Sequence, residues 1–180
     1  FNKFEREELD RQNNIYTITD ILDTIKIQVE DEKNYQEIEK AIMHTLLLDS
    51  VINNGDRHAN NWALVRDKET NWYELAIFDH SSCFTDMLIE QRNSTYNGWE
   101  SSCIKIKEDN KAIRIGSLGS EVIKFIYDNY EEDFNRFTNR FNEKLPLIIE
   151  EIKQENLPID NKRLINRLCE RKSFLSSIKS

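Results

Sequence analysis

The sequence predicts a mainly α-helical protein of the α+β class, with one small β-hairpin near the middle of the chain. Apolar residues recur at helical spacing in two early segments and through most of the second half. Two short runs rich in aromatic residues and Val or Ile lie between them, at 62–66 and 72–78. The length of 180 residues fits one domain. We therefore expect residues 1–180 to form a single domain.

Two helices are predicted before the hairpin. The first lies in the segment TITDILDTIKIQV (17–29), where apolar residues at helical spacing follow a Thr that can cap the helix. The second runs from about Tyr35 to Ile52, and its run AIMHTLLLDSVI is apolar nearly all round, which indicates a buried helix. The polar turn NNGD ends it. Residues 1–16 have no clear period and no assigned structure.

The next segment predicts the hairpin and then an irregular region. The strands WALVR (62–66) and WYELAIF (72–78) flank the polar loop DKETN, whose length is usual for a hairpin. Residues 80–119 are polar, and a short strand is expected at CIKIK within them. The segment GSLGS (116–120) has neither the Lys nor the preceding strand of a phosphate-binding loop, so we interpret it as a turn.

Four helical segments are predicted from Ser120 onward, at 120–130, 131–141, 145–156 and 160–175. Pro146 suits the first turn of the third segment, and Asp160 can cap the fourth. The fourth segment lies in the locally basic stretch NKRLINRLCERKSF, for which a solvated helix face is the expected role.

Composition excludes several classes of protein. A net charge of −8 disfavours a general binder of nucleic acid or of anionic membranes, because such binding needs clustered Lys and Arg. Three cysteines without a CxxC pair suggest neither a disulfide framework nor a zinc knuckle, so a reducing, cytoplasmic setting is the simplest expectation. The chain begins with Phe rather than Met, from which we expect that residues precede it in the natural protein.

Three polar residues around the hairpin have the spacing of a phosphoryl-transfer site. Such a reaction needs a carboxylate that orients the attacking hydroxyl and oxygen ligands for magnesium, and protein kinases supply an Asp, an Asn five residues later and a second Asp after a nearby strand. Asp56, Asn61 and Asp79 fit that order. Antiparallel pairing would bring Asn61 and Asp79 to one end of the hairpin, about 5 Å apart across the ladder.

Each of these residues also has an ordinary explanation. Asp56 follows a Gly in a turn, Asn61 can cap or turn the chain, and Asp79 can end a strand. The joint arrangement of an apolar helix, GDRHANN, a strand, a turn, a strand and an Asp favours the functional interpretation. Asp56 would orient the acceptor, while Asn61 and Asp79 would bind magnesium.

The stretch LLLDSVINNGDRHANNWALV, followed by YELAIFDHSSCF, resembles the catalytic core of the HipA-like serine/threonine kinases. The resemblance covers about residues 40–85 and implies a protein-kinase-like C-terminal lobe. It implies that Asp56 is the catalytic base, that Asn61 and Asp79 bind magnesium and the nucleotide phosphates, and that His58 is the loop histidine. His58 could orient the loop or contact phosphate. Phosphoinositide kinases share a GDRHxxN signature, so the loop alone does not separate the two families. The compact FDHSSCF after the second strand favours a HipA-like kinase over a phosphoinositide kinase.

The same resemblance implies ATP as substrate, Mg²⁺ as cofactor and a Ser or Thr hydroxyl of a protein as acceptor. It also implies an antitoxin-like DNA-binding partner. The net charge of −8 predicts no direct contact of this chain with nucleic acid or membrane. The chain has no GxGxxG and no Walker-type GKS or GKT, so the N-terminal lobe that contacts ATP is expected to be absent from it. A non-catalytic regulatory lobe and a kinase for lipids or small molecules stay open as alternatives.

Three other polar residues have structural expectations. Arg57 could pair with an acidic group, although a surface position is the commoner outcome for Arg. His44 is expected to be a hydrogen-bonded core residue, and His80 could cap the turn after Asp79. No zinc site is expected, because no third or fourth ligand has a suitable spacing.

Overall fold

The computed structural model describes residues 16–58, 61–80, 82–84, 99, 104–106, 117–155, 157 and 160–178. These ranges contain five helices, one antiparallel hairpin and one short parallel strand pair. The elements are β1 (Tyr16–Thr17), α1 (Ile18–Gln28), α2 (Glu32–Val51), β2 (Trp62–Arg66), β3 (Tyr73–Ile77), β4 (Ile104–Lys105), α3 (Gly119–Asn129), α4 (Glu131–Gln154) and α5 (Asn161–Ser177). The predicted fold class, mainly helical with a small hairpin, is confirmed.

Helix α2 is the central element of the core. Its residues Ile42, Met43 and Leu47 are fully buried, and the helix packs against α1, α3, α4 and β3. It begins three residues earlier than predicted because the side chain of Asp31 accepts a hydrogen bond from the N–H of Asn34 and so caps it. The buried helix expected from its apolar circumference is confirmed.

Helix α1 begins at the Thr expected to cap it. The Thr17 hydroxyl accepts from the N–H of Asp20, and the Asp20 carboxylate accepts from the N–H of Thr17, which completes a capping box. Just before the helix, β1 pairs in parallel with β4 through Tyr16 and Ile104. The expected strand at CIKIK is therefore present as two residues, while 1–15 lie outside the described residues.

The hairpin has the predicted antiparallel pairing. Its register runs from Trp62 opposite Ile77 to Arg66 opposite Tyr73, so β2 has the predicted bounds and β3 is one residue shorter at each end. In the turn, the Asp67 carboxylate accepts from the N–H groups of Glu69 and Thr70. These two bonds lower the pKa of Asp67, because they favour its charged form.

The break predicted between 141 and 145 is wrong, because α4 continues through Pro146 as one helix. Its buried residues Phe134, Thr138, Leu145 and Ile152 follow one helical face across the Pro. Packing along this face therefore outweighs the loss of the hydrogen bond that Pro cannot donate.

The basic stretch after 160 is not a purely solvated face. Asp160 caps α5 as predicted, accepting from the N–H groups of Lys162 and Arg163. However, Arg167 and Arg171 are buried, and the guanidinium of Arg171 lies 3.5 Å from the ring centroid of Trp99. The expected solvated role is thus wrong for these two residues: Arg171 packs on the Trp99 ring, and Arg167 pairs with Glu170 at 3.1 Å.

The part of GSLGS that the structure describes leads directly into a helix. Gly119 is the first residue of α3, and a Cβ there would lie 3.0 Å from the Trp99 ring and 3.3 Å from the Ser50 backbone. Close approach of α3 to α2 therefore favours Gly at this position, since a larger residue would displace its neighbours by a few tenths of an ångström. Among the described helices, none is both long and apolar enough to cross a membrane.

Candidate active site

The loop that leaves α2 turns sharply back over the end of the helix. Asn53 adopts a left-handed backbone conformation (φ 53°), and the N–H of Asn54 donates to the carbonyl of Asp49 at 2.8 Å. The Asn54 side chain donates to the Asp49 carboxylate at 2.9 Å. Asp49, near the end of α2, thus anchors the start of the loop that contains Asp56.

Arg57 is buried in an ion pair with Asp49. Its Nε lies 2.7 Å from Oδ2 and its Nη2 lies 2.9 Å from Oδ1 of Asp49, and the two residues are 1% and 5% exposed. The pairing of Arg57 with an acidic group is therefore confirmed, and the surface position considered the commoner outcome is wrong. The physical reason is Asp49, because a carboxylate inside a helical core needs a partner of opposite charge.

The same guanidinium group also binds the two chain segments at the open end of the hairpin. Arg57 Nη1 donates to the carbonyl of Asn61 and to the carbonyl of Phe78, each at 2.8 Å. Asn61 and Phe78 bond each other as well, since the N–H of Phe78 donates to the Asn61 carbonyl at 3.1 Å. Arg57 therefore connects α2, the loop and both hairpin strands at one point.

Asn61 is buried (3% exposed) just before β2. Its side-chain nitrogen donates to the carbonyl of Asp56 at 2.6 Å, and its N–H donates to the carbonyl of His58. These two bonds close the loop and orient the side chain. The side-chain oxygen of Asn61 is then the atom suited to bind a cation.

Asp56 and His58 lie at the outer side of this loop. The Asp56 side chain is half exposed, and its Oδ1 lies 3.8 Å from Nε2 of His58. Because the Asp56 carbonyl is fixed by Asn61, its carboxylate projects from a closed loop and can be reached by a hydroxyl group from solvent. His58 is positioned beside that carboxylate, as a loop-orienting residue would be.

Asp79 follows Phe78 at the exit of the hairpin. It is exposed and has a left-handed backbone conformation (φ 58°), which costs an Asp residue on the order of 1–3 kcal/mol and is often found at functional sites. After it, the N–H of Cys83 donates to the carbonyl of His80, so the backbone of His80 closes this turn. The N–H of Phe84 donates to the carbonyl of Ile52, which fixes the segment to the end of α2.

Cys83 lies close enough to this site for its ionisation to be affected by it. Burial raises the pKa of the Cys83 thiol to about 11, and the negative charge of Asp49 contributes in the same direction. The thiol is therefore protonated at neutral pH. It is not activated as a nucleophile.

The arrangement fits a magnesium ion bound through few protein ligands. Mg²⁺ typically takes one or two protein oxygen ligands and completes its shell with water and phosphate oxygens. Asn61 offers a side-chain oxygen and Asp79 an exposed carboxylate at the same end of the hairpin. Within the described ranges there is no cluster of three or more His, Cys, Asp or Glu residues that could hold a metal ion.

Sequence reasoning missed Asp49 and misplaced His44. Asp49 is the one acidic residue in the apolar run AIMHTLLLDSVI, and an acidic residue in a buried helix was a usable signal for a buried partner. His44 is half-buried, and its Nε2 lies 3.7 Å from the Asp133 carboxylate, which is too long for a hydrogen bond. The expected hydrogen-bonded core histidine is therefore wrong.

The fold is similar to that of a known kinase. The chain superimposes on the crystal structure of a Helicobacter pylori proinflammatory kinase, CtkA, with a TM-score of 0.51 and 21% sequence identity. The match covers 97% of this chain and 66% of that chain, so this chain spans just under two thirds of its length. No protein-family profile and no curated protein matches the sequence. The helical body with its hairpin therefore has a kinase-like fold.

Proposed function

We propose that this chain is the catalytic lobe of an ATP- and Mg²⁺-dependent kinase that phosphorylates a Ser or Thr hydroxyl of a protein. The observation that supports this most is the closed loop from Asp56 to Asn61, which is joined to the hairpin exit beside Asp79 through Arg57. The kinase-like fold supports phosphoryl transfer as the general reaction.

In this proposal each site residue has one role. Asp56 orients the acceptor hydroxyl and accepts its proton, because its carboxylate is exposed while its backbone is fixed. Asn61 and Asp79 hold the cation through oxygen atoms, and His58 keeps the Asp56 carboxylate in place. Bound magnesium neutralises the charge of the phosphates during transfer.

The acceptor and partners follow from the resemblance to HipA-like kinases. A protein substrate and an antitoxin-like DNA-binding partner are part of the proposal, and the cytoplasm is the proposed location. The net charge of −8 favours a partner, rather than this chain, as the source of any contact with DNA.

The test is transfer of the γ-phosphate of ATP by the natural protein that contains this chain, with magnesium present. We expect Asp56→Asn to lower the rate roughly 10²- to 10⁴-fold while leaving metal binding intact, because it removes the proton acceptor only. We expect Asp79→Ala to abolish both transfer and metal binding.

The matched control is Asp23→Ala, which removes an exposed carboxylate from α1, outside the proposed site. It should transfer phosphate at the wild-type rate. Equal transfer by the wild type, Asp56→Asn and Asp79→Ala would contradict the catalytic assignment, whereas no transfer by the wild type would favour a non-catalytic regulatory lobe. Phosphorylation of a lipid or small molecule but of no protein would retain the chemistry and overturn the acceptor class.

A further inference from the structure

Arg57 contacts the backbone of Asn61 and of Phe78, the residue before Asp79, and we assign Asn61 and Asp79 to the cation. Its Nη1 binds the carbonyl of Asn61 and the carbonyl of Phe78, and Nε and Nη2 bind the Asp49 carboxylate. We propose that Arg57, held by Asp49, is a positioning residue that sets the separation of Asn61 and Asp79 and so the affinity of this hairpin end for a divalent cation. This inference rests on the proposed function.

The geometry explains how one side chain can set that separation. The carbonyl of Phe78 belongs to the planar peptide group that also contains the nitrogen of Asp79, so holding this carbonyl holds the start of Asp79. The carbonyl of Asn61 is bound by the same Nη1 atom at the same distance of 2.8 Å. The N–H of Phe78 also donates to the Asn61 carbonyl, so the two chain segments cannot move apart without breaking this bond and one to Arg57 Nη1.

Asp79 needs such support because of its backbone conformation. A non-glycine residue at a φ of 58° persists only where the surrounding structure determines it. One bond to the preceding carbonyl comes from Arg57, and the segment after Asp79 is fixed through Phe84 and Ile52. Asp79 is thus held on both sides.

A buried ion pair also carries a large desolvation penalty compared with apolar side chains in the same core. Apolar residues of similar size at positions 49 and 57 would often stabilise a fold as well or better. Only a planar guanidinium, however, can bind a carboxylate at two points and still donate to two carbonyls, which a Lys ammonium cannot reproduce. The choice of Asp49 and Arg57 therefore agrees with a role in geometry rather than in stability.

The experiment separates these two roles by measuring metal binding rather than activity. Mn²⁺ is titrated into the protein, and its paramagnetic broadening of the amide NMR signals of Asn61 and Asp79 is recorded. The decisive variant is Asp49→Leu/Arg57→Met, which removes the charges as a pair and keeps the core apolar. We expect roughly 10- to 100-fold more Mn²⁺ to be needed for half broadening, as for other lost supports of metal ligands.

Two further variants make the result unambiguous. Arg57→Lys retains the charge beside Asp49 but loses the planar set of N–H donors, so it should also weaken Mn²⁺ binding. If the double variant does not fold, Arg57→Lys provides the test. Asn34→Ala is the matched control, because it removes hydrogen bonds to the hairpin at Tyr73, the end far from the site. It should lower stability and leave the Mn²⁺ titration unchanged.

The possible failures are distinguishable. Mn²⁺ titrations that are the same for the wild type and the folded Arg57 variants would overturn this inference and leave the proposed function in place. A wild type whose Asn61 and Asp79 signals show no selective broadening would overturn the metal site of the proposed function, and this inference with it.

Discussion

Asn34 and Tyr73 are joined by two hydrogen bonds between one side chain and one backbone. The side-chain nitrogen of Asn34 donates to the Tyr73 carbonyl, and its side-chain oxygen accepts from the Tyr73 N–H, both at 2.8 Å. This pair connects the first turn of α2 to the first residue of β3. With Arg57 at the other end, the hairpin is attached to α2 at both of its ends.

Asn34→Ala should destabilise the protein by about 1–3 kcal/mol, because it leaves two backbone groups of Tyr73 without their partner. The free energy of unfolding from urea denaturation measures this. Gln36→Ala, in the same turn but exposed, removes only a side-chain bond to Glu32 and should cost roughly 0.2–0.5 kcal/mol. Equal losses for the two variants would show that the Asn34 bonds are unimportant.

Arg57→Met alone should destabilise the protein by about 3–5 kcal/mol, since it leaves the Asp49 carboxylate buried without a counter-charge. Adding Asp49→Leu should recover part of that loss, because the remaining charge is then removed while the buried Asn54 side chain loses its Asp49 partner. Urea denaturation of the two single variants and the double variant measures the coupling between the positions. If the loss of unfolding free energy in the double variant equalled the sum of the losses in the two single variants, a direct ion pair would be contradicted.

Pro146→Ala should stabilise the protein. Pro costs about 3 kcal/mol inside a helix, and only roughly 0.4–1 kcal/mol of this is offset by its restriction of the unfolded chain. The side chain is exposed, so Ala loses no buried contact. We expect a net gain of about 2 kcal/mol in urea denaturation. An unchanged stability would indicate that α4 has an adaptation at Pro146 which Ala cannot use.

Cys83 should be alkylated slowly at neutral pH. Its rate with iodoacetamide, followed by mass spectrometry of the Cys83 peptide, should reach half its maximum near pH 11 in the folded protein and near pH 9.0 in urea. The raised pKa also means that the folded state holds this proton more tightly, so stability should fall as the pH rises from 9 towards 11. Identical midpoints in both states would contradict burial of the thiol.

The sequence was sufficient for elements defined by local pattern. The capping Thr17, the hairpin strands and the buried α2 follow from side-chain chemistry and periodicity within a few neighbouring residues. The continuity of α4 was not predictable in this way. A Pro at 146 is a local signal for a helix start, whereas the apolar face that overrides it depends on packing against other helices.

Only part of the candidate site was predictable, because only part of it is defined by local sequence pattern. The order of Asp56, Asn61 and Asp79 around a hairpin is visible in the sequence, and the register of that hairpin agrees with the expected meeting of its ends. Their roles as base and metal ligands stay predictions. The partnership of Asp49 with Arg57 depends on a three-dimensional contact between a helix and a loop, so the sequence can suggest a buried partner for each residue without identifying it.

That partnership also constrains how the sequence can change over time. A substitution at either position alone passes through a protein with an uncompensated buried charge, whereas a joint change does not. Drift at 49 and 57 should therefore be slow and correlated, even where the surrounding surface varies freely. An acidic residue eight positions before the loop Arg, with an Asn four positions after it, is accordingly a signature by which distant relatives of this lobe can be sought.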